Sequence, residues 1–446
     1  MKTNGSNLAM LNVPTRWLGS TLSSLALWKN AMWLFGGNVA FGAYQWGIIV
    51  IIAKIGTSEM VGQYALGLAI CAPVFMFANL NLRSVQATDS RQEFLFGHYL
   101  GLRLVTTLLA LAAVIGVSWA LGYRGEAALA IAMVGLIKVC ESLSDILYGF
   151  FQQQEQMDRI GGSLIIRSAL SALALFLGLH LSGQLGWGLL SLAIVGALTL
   201  IWYDSLNCRR VAGATGLGGR LSPAKIRPLW EKSRLFKLAR LSLPLGFVWM
   251  LISLTFCIPR YFIEHYLGSM ELGIFAAMFQ LMLTGSIIIM ALCQATQPKM
   301  AAYLAAGNLP AFRRHLAIIL AFAGLIGVIG FFLAATMGEP LLAWIYRPEY
   351  AAHLRSFKWM MLAAIFYYTA SSLGYAVTAI RTYDALIIPY LAAALLAWTC
   401  SWVLIPAYGL LGAAWTLVVV NVFITAMLLL FIIFNLKARG TPLDAR

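Results

Sequence analysis

The sequence predicts an all-α polytopic membrane protein of about twelve spanning helices, arranged as two six-helix bundles related by a parallel repeat. Three observations carry this. The composition is 61% hydrophobic and only 11% charged, with mean hydropathy +0.83, which is far outside the range of soluble domains. Apolar runs are continuous over roughly 20 residues, the length that crosses about 30 Å of hydrocarbon as a helix, and do not alternate at the period of two that a barrel requires. The chain also repeats itself. Gly56-Thr-Ser-Glu59-Met-Val-Gly62-Gln-Tyr64-Ala65 leads on to Gln86-Ala87-Thr88, and Gly268-Ser-Met-Glu271-Leu-Gly273-Ile-Phe275-Ala276 leads on to Gln294-Ala295-Thr296.

Taken in order, span one is predicted near 30–54 and carries Asn38, Tyr44, Gln45 and Trp46 but no carboxylate. Span two, 60–81, holds Pro73; span three, 97–122, begins near Arg103; span four, 127–150, holds several charges; span five, 161–183, begins near Arg167; span six is 186–206. Span seven, 241–266, carries Pro244, Pro259 and Arg260, and span eight, 270–297, carries the second copy of the repeat. Spans nine to twelve are 316–338, 356–380, 385–405, which holds Pro389, and 408–435. Helices interrupted by proline need neighbours to satisfy the freed backbone groups, so a packed bundle is expected. Six spans per half give both halves the same sense, and repeats of this kind build a cavity at their interface near the bilayer midplane.

The domain reading is 1–207 for the first bundle, 208–240 for a basic linker and 241–446 for the second bundle. The linker holds nine Lys or Arg between Cys208 and Arg240 (Arg209, Arg210, Arg220, Lys225, Arg227, Lys232, Arg234, Lys237, Arg240) against Glu231. By the positive-inside rule this loop, and both termini with it, are cytoplasmic. Lys2, Arg16, Lys29, Arg83, Arg91, Arg159, Arg167, Lys299, Arg313, Arg314, Arg381, Lys437, Arg439 and Arg446 fall on the same side. Gly213, Gly216, Gly218 and Gly219 suggest a flexible stretch, and 223–240, with Ile226, Trp230, Leu235, Phe236 and Leu238 among basic residues, reads as an amphipathic helix on the anionic leaflet; an unstructured basic linker is the alternative. The net charge of +15 is therefore mostly topology, and no loop is long enough for a nucleic-acid-binding module. Six scattered cysteines and five scattered histidines form no metal motif. The Gly216 to Arg220 run lacks the ending and the preceding strand of a phosphate loop. No cofactor is expected.

Charges inside a bilayer cost several kcal/mol unless paired or hydrated. Lys138, Glu141 and Asp145 in span four share one helix face, continued by Tyr148 and Gln152. Either they pin the bundle as ion pairs, or Lys138 meets an anionic cargo while Glu141 or Asp145 couples transport to an ion. Arg103, Arg167 and Arg260 add fixed positive charge at different depths, a ladder of cations that could pass a diphosphate across as substrate-binding residues. The competing reading, favoured for Arg103 and Arg167, is that they reach lipid headgroups, while Arg260 reads as facing a cavity. Tyr44, Gln45 and Trp46 suit sugar contact, or serve as packing and interface anchors.

Three stretches carry a resemblance: Asn81-Leu-Arg83-Ser-Val-Gln86-Ala-Thr-Asp89; Glu141-Ser-Leu-Ser-Asp145-Ile-Leu-Tyr148-Gly149 with Gln152 and Met157-Asp158; and Ile258-Pro259-Arg260-Tyr261-Phe262-Ile263-Glu264 with Gly273 to Ala276. In this order on twelve spans they resemble the polysaccharide (O-antigen, Wzx-type) flippases of the multidrug/oligosaccharidyl-lipid/polysaccharide (MOP) exporter superfamily, over residues 30 to 435. The resemblance implies a V-shaped, MATE-like pair of bundles with alternating access, and a cargo of oligosaccharide repeat units on undecaprenyl diphosphate, moved between leaflets of a bacterial inner membrane. It implies Arg83, Lys138 and Arg260 as cargo-binding positions, glycosyltransferases and a polymerase as partners, and no enzymatic activity. A drug or cation antiporter of the same superfamily would be expected to carry an acidic residue in span one, and a peptidoglycan-precursor flippase extra spans. A glycan polymerase or ligase would need a larger outward loop than 338–356, with its Glu339, Arg347, Glu349 and His353.

Overall fold

The computed structural model describes residues 14–89, 93–214, 227–380 and 386–440, and every regular element among them is helical. Twelve of the helical stretches are long and apolar enough to cross a membrane, from Met32–Ile55 to Leu410–Leu436, one for each predicted span. The elements of the first half are α1 (Pro14–Ile55), α2 (Ser58–Asn79), α3 (Leu82–Thr88), α4 (Phe96–Ala120), α5 (Gly125–Gln153), α6 (Met157–Ser182), α7 (Leu185–Leu198) and α8 (Ser205–Ala214). Those of the second half are α9 (Lys232–Leu267), α10 (Ser269–Ala305), α11 (Leu309–Ile345), α12 (Pro348–Ala351), α13 (Leu354–Ile380), α14 (Ile387–Tyr408) and α15 (Leu410–Gly440). A six-residue π-helical segment, Thr199–Asp204, joins α7 to α8 within the sixth span.

Local chemistry sets several boundaries. The Thr57 hydroxyl accepts from the Met60 amide at 3.2 Å and caps α2, with Glu59 in the first turn favoured by the helix dipole. Asn308 caps α11 in the same way through Ala311. The prolines at 73, 244 and 259 sit inside continuous helices; the real break in the second span lies further on. Leu80 and Asn81 both adopt left-handed backbone, at φ 50° and 48°. Asn tolerates that region, whereas Leu is held there at a cost of roughly 1–2 kcal/mol. The break turns α3 back against α5, where Gly149 leaves room for Gln86 and the Arg83 backbone.

The linker differs from expectation. Among the described residues its basic segment is no separate surface helix: Lys232 to Arg240 form the opening turns of α9, and the residues before them run along α4, with the Leu229 amide donating to the Gly97 carbonyl at 2.9 Å. Gly97 and Gly101 allow that close approach. The sixth span likewise continues past residue 207 as α8 to Ala214. Gly216, Gly218, Gly219, Arg220 and Lys225 lie outside the described residues, as do Lys2, Arg91, Arg381 and Arg446.

In the first bundle α1 packs on α6, and α5 packs on α2, α4 and α7; in the second, α13 lies between α11 and α15 and also meets α10. Helix α9 is shared, packing against α2 and α4 on one side and α14 and α15 on the other. The two copies of the sequence repeat meet where α2 crosses α10. A Cβ on Gly62 would lie 1.7 Å from the Ser269 carbonyl oxygen, and one on Gly273 1.9 Å from that of Ser58. The contact is reciprocal, as a two-fold relation between halves requires.

The crossing closes the face of the molecule opposite the termini, where other ties accompany it. Lys54 Nζ donates to the Trp344 carbonyl at 2.7 Å, and Arg347 donates to the Lys54 carbonyl at 3.0 Å. Trp46 Nε1 donates to the Tyr346 hydroxyl at 3.3 Å, and that hydroxyl donates to the Ala277 carbonyl at 2.9 Å. Burial pushes the Tyr346 hydroxyl well above its usual pKa, so it stays a donor.

Candidate anion-binding cavity

A cavity of about 250 Å³ opens inside the first bundle. Helices α1 (Asn38, Phe41), α2 (Phe75, Met76, Asn79), α3 (Arg83), α5 (Lys138, Glu141, Asp145, Tyr148) and α6 (Arg167) wall it. By liquid volume it has room for roughly eight waters, the scale of a diphosphate-sized group.

The stripe on α5 organises it into two ionic clusters, one helical turn apart. Glu141 takes Lys138 at 2.7 Å and Arg167 at 3.7 Å. Asp145 takes Arg103 at 3.1 Å and Arg83 at 3.4 Å. Arg103 is fully buried and also donates to the Asn79 side chain, while Arg83 donates to Gln152 at 3.2 Å and lies over the Tyr148 ring. Four cations thus face two carboxylates, and Arg83 and Lys138 retain partial exposure, at 29% and 22% of their side chains.

The structure corrects one expectation outright: Arg103 and Arg167 do not reach headgroups but point inward, at 0% and 3% exposure. Buried arginines are tolerated because carboxylates on α5 balance them. Arg260 stands apart from this cavity. It projects from α9 over the Phe279 ring at 4.8 Å, with its Nε unpartnered, and Phe256, one turn earlier, meets Phe279 and Tyr367. It is thus a cation on an aromatic wall of the second bundle, and Tyr261 beside it donates to the Ala69 carbonyl, tying α9 to α2.

The three residues of α1 separate. Tyr44 is buried beside Ser171, Glu141 and Arg167; Gln45 is exposed; Trp46 spans the two halves through Tyr346. Sequence reasoning missed Asn79, whose side chain holds Arg103, and Asp204, a fully buried carboxylate on the π-helical segment. Asp204 ends an apolar run at the predicted cytoplasmic rim, where a carboxylate ordinarily faces headgroups; its being the one acidic residue in span six was the available signal. Among the described residues no group of His, Cys, Asp and Glu is arranged to hold a metal ion.

Comparison with known proteins fits this architecture. The chain is 27% identical over 401 residues to the capsular polysaccharide biosynthesis protein CapF of Staphylococcus aureus, covering 88% of this chain and 95% of that one. No family model matches. Its fold is similar to the inward-facing form of a multidrug resistance MATE transporter of the MOP superfamily, at TM-score 0.68 and 13% identity over 89% of this chain and 94% of the other. A MOP superfamily transporter from Pyrococcus furiosus, described as having a binding pocket of reverse polarity, is similar at TM-score 0.65 and 14% identity over 94% and 96%. What these comparisons bear out of the resemblance carried by the sequence motifs is the fold, which is that of MOP superfamily transporters.

Proposed function

We propose that this multi-pass membrane protein, with the fold of a MOP superfamily transporter and a polysaccharide-biosynthesis relative, flips a diphosphate-linked oligosaccharide between membrane leaflets by alternating access. The cargo is a repeat unit on undecaprenyl diphosphate, the membrane a bacterial inner membrane with both chain termini cytoplasmic, and the direction outward. The observation that carries the proposal is the excess of cations in a cavity sized for a diphosphate. Arg83, Lys138 and Arg167 present donors to the diphosphate oxygens, with Arg103 held behind them by Asp145 and Asn79; guanidinium groups match such oxygens bidentately.

The glycan lies outside this cavity, in the cleft between bundles, where the partly exposed Phe256 and Tyr367 beside Arg260 offer rings to sugar faces. The polyprenyl tail remains in lipid. The headgroup cannot cross hydrocarbon unaided because its desolvation cost is prohibitive, so a polar groove and two accessible states suffice, with no covalent step. Glu141 and Asp145 set the charge of the groove and are the first candidates for ion coupling. Glycosyltransferases supply the cargo and a polymerase consumes it.

A deletion strain tests this. Loss of surface polysaccharide with repeat units trapped on the cytoplasmic leaflet is the expected result; repeats accumulating on the outer leaflet would indicate a polymerase or ligase, and an unaltered glycan profile a drug antiporter.

A further inference from the structure

Asp204 is the buried acidic group the proposal above leaves without a task. Glu141 and Asp145 each contact two cations; Asp204, at 0% exposure, forms no ion pair among the described residues, and the Ser144 and Ser163 hydroxyls lie beside its oxygens without reaching hydrogen-bonding geometry. It sits at the end of the π-helical segment Thr199–Asp204, and single π-turns inside α-helices recur at functional sites. A bare carboxylate in a bundle interior costs several kcal/mol. Protonation removes that cost and supplies an O–H for the neighbouring hydroxyls.

Those neighbours connect it to the cavity. From α5 Ser144 and Tyr148 face it, from α6 Ser163 and Arg167, from α8 Cys208 with Arg209 beyond, and Tyr203 precedes it on its own segment; α7 contributes no titratable group. Tyr148 lines the cavity, and its hydroxyl shares a 2.7 Å hydrogen bond with that of Ser163, a hydroxyl path from the cavity to Asp204. Arg167, the other link, pairs with Glu141 on the cavity side.

We propose that Asp204 is a proton-binding site whose occupancy sets the anion affinity of the cavity. This rests on the reading of that cavity as the diphosphate site. When Asp204 is ionised its charge offsets that of Arg167; when it is protonated the offset vanishes and the cavity gains one effective positive charge. By linkage, anion binding favours proton binding to the same extent. The sense is co-binding: the state that holds the diphosphate holds the proton.

The test uses the purified full chain and a short-chain prenyl diphosphate glucose diester, a probe whose diphosphate keeps its two negative charges throughout the range, titrated between about pH 5 and about pH 8. The wild type should tighten as pH falls, by up to about tenfold per unit, while Asp204→Asn binds at the wild-type acid value at every pH and Asp204→Glu retains the slope. Equal slopes in wild type and Asp204→Asn would overturn the proposal. Absence of binding by the wild type at any pH would sink the cavity reading itself, and this inference with it. Should Asp204→Asn not fold, calorimetry of the wild type in two buffers of different ionisation enthalpy decides: proton uptake on binding is expected, and none would overturn the proposal.

Discussion

Gly62 and Gly273 occupy equivalent places in the two copies of the repeat and pack each against the backbone of the other's helix, with no room for a Cβ on either. The relation places the sequence repeat on the molecular axis and makes it the closure of one face. Only glycine fits on either side, and under the proposed alternating access this contact forms and parts in each cycle. Gly62→Val or Gly273→Val should leave the chain in the membrane and abolish transport, by barring the state with that face closed.

Lys54 and Arg347 report on the same closure, since Arg347 donates to the Lys54 carbonyl at 3.0 Å. In a background with the six free cysteines replaced, a Lys54→Cys/Arg347→Cys pair should be joined by a bifunctional methanethiosulfonate cross-linker, which spans the gap an arginine side chain leaves, and stop transport, with recovery on reduction. Adding Gly62→Val should cut cross-linking several-fold. Unchanged cross-linking would show that the glycine contact does not govern this face.

Asp145 and Arg83 separate structure from binding. Asp145→Ala leaves fully buried Arg103 without its carboxylate, and breaking a buried pair costs roughly 3–5 kcal/mol, so the thermal unfolding midpoint should fall sharply. Arg83→Ala removes a partly exposed partner and should leave the midpoint nearly unchanged while weakening diphosphate binding by about tenfold, the equivalent of one charge-assisted contact. Similar midpoints for both variants would contradict the ionic arrangement.

Lys138→Ala and Arg260→Ala should both impair transport while leaving membrane insertion intact, for different reasons. The first lowers diphosphate affinity; the second leaves that affinity unchanged, because Arg260 sits on the aromatic wall of the other bundle. Normal transport by both variants would remove them from the cargo path.

The twelve spans were legible because apolar length is a property of consecutive residues, and the facing of Lys138, Glu141 and Asp145 because helical period fixes it. Their partners were not. Arg103 and Arg167 lie near span ends, where snorkelling and burial look alike in one dimension; only the packing of α4 and α6 against α5 turns them inward. The left-handed pair Leu80 and Asn81 breaks the second span after its proline, since Pro73 is accommodated within α2 and the turn is imposed by packing around Leu80 and Gly246. Asp204 was hidden for the same reason: its depth follows from the bundle, not from its place in the run.

The most direct test is flipping by the purified protein in proteoliposomes, using a fluorescent prenyl diphosphate-linked oligosaccharide and a membrane-impermeant reagent that reads its leaflet. Movement between leaflets above protein-free vesicles, reduced by Arg83→Ala and by Lys138→Ala, is the predicted result. Rates equal to protein-free vesicles under an imposed pH gradient or membrane potential, with the protein folded, would contradict it.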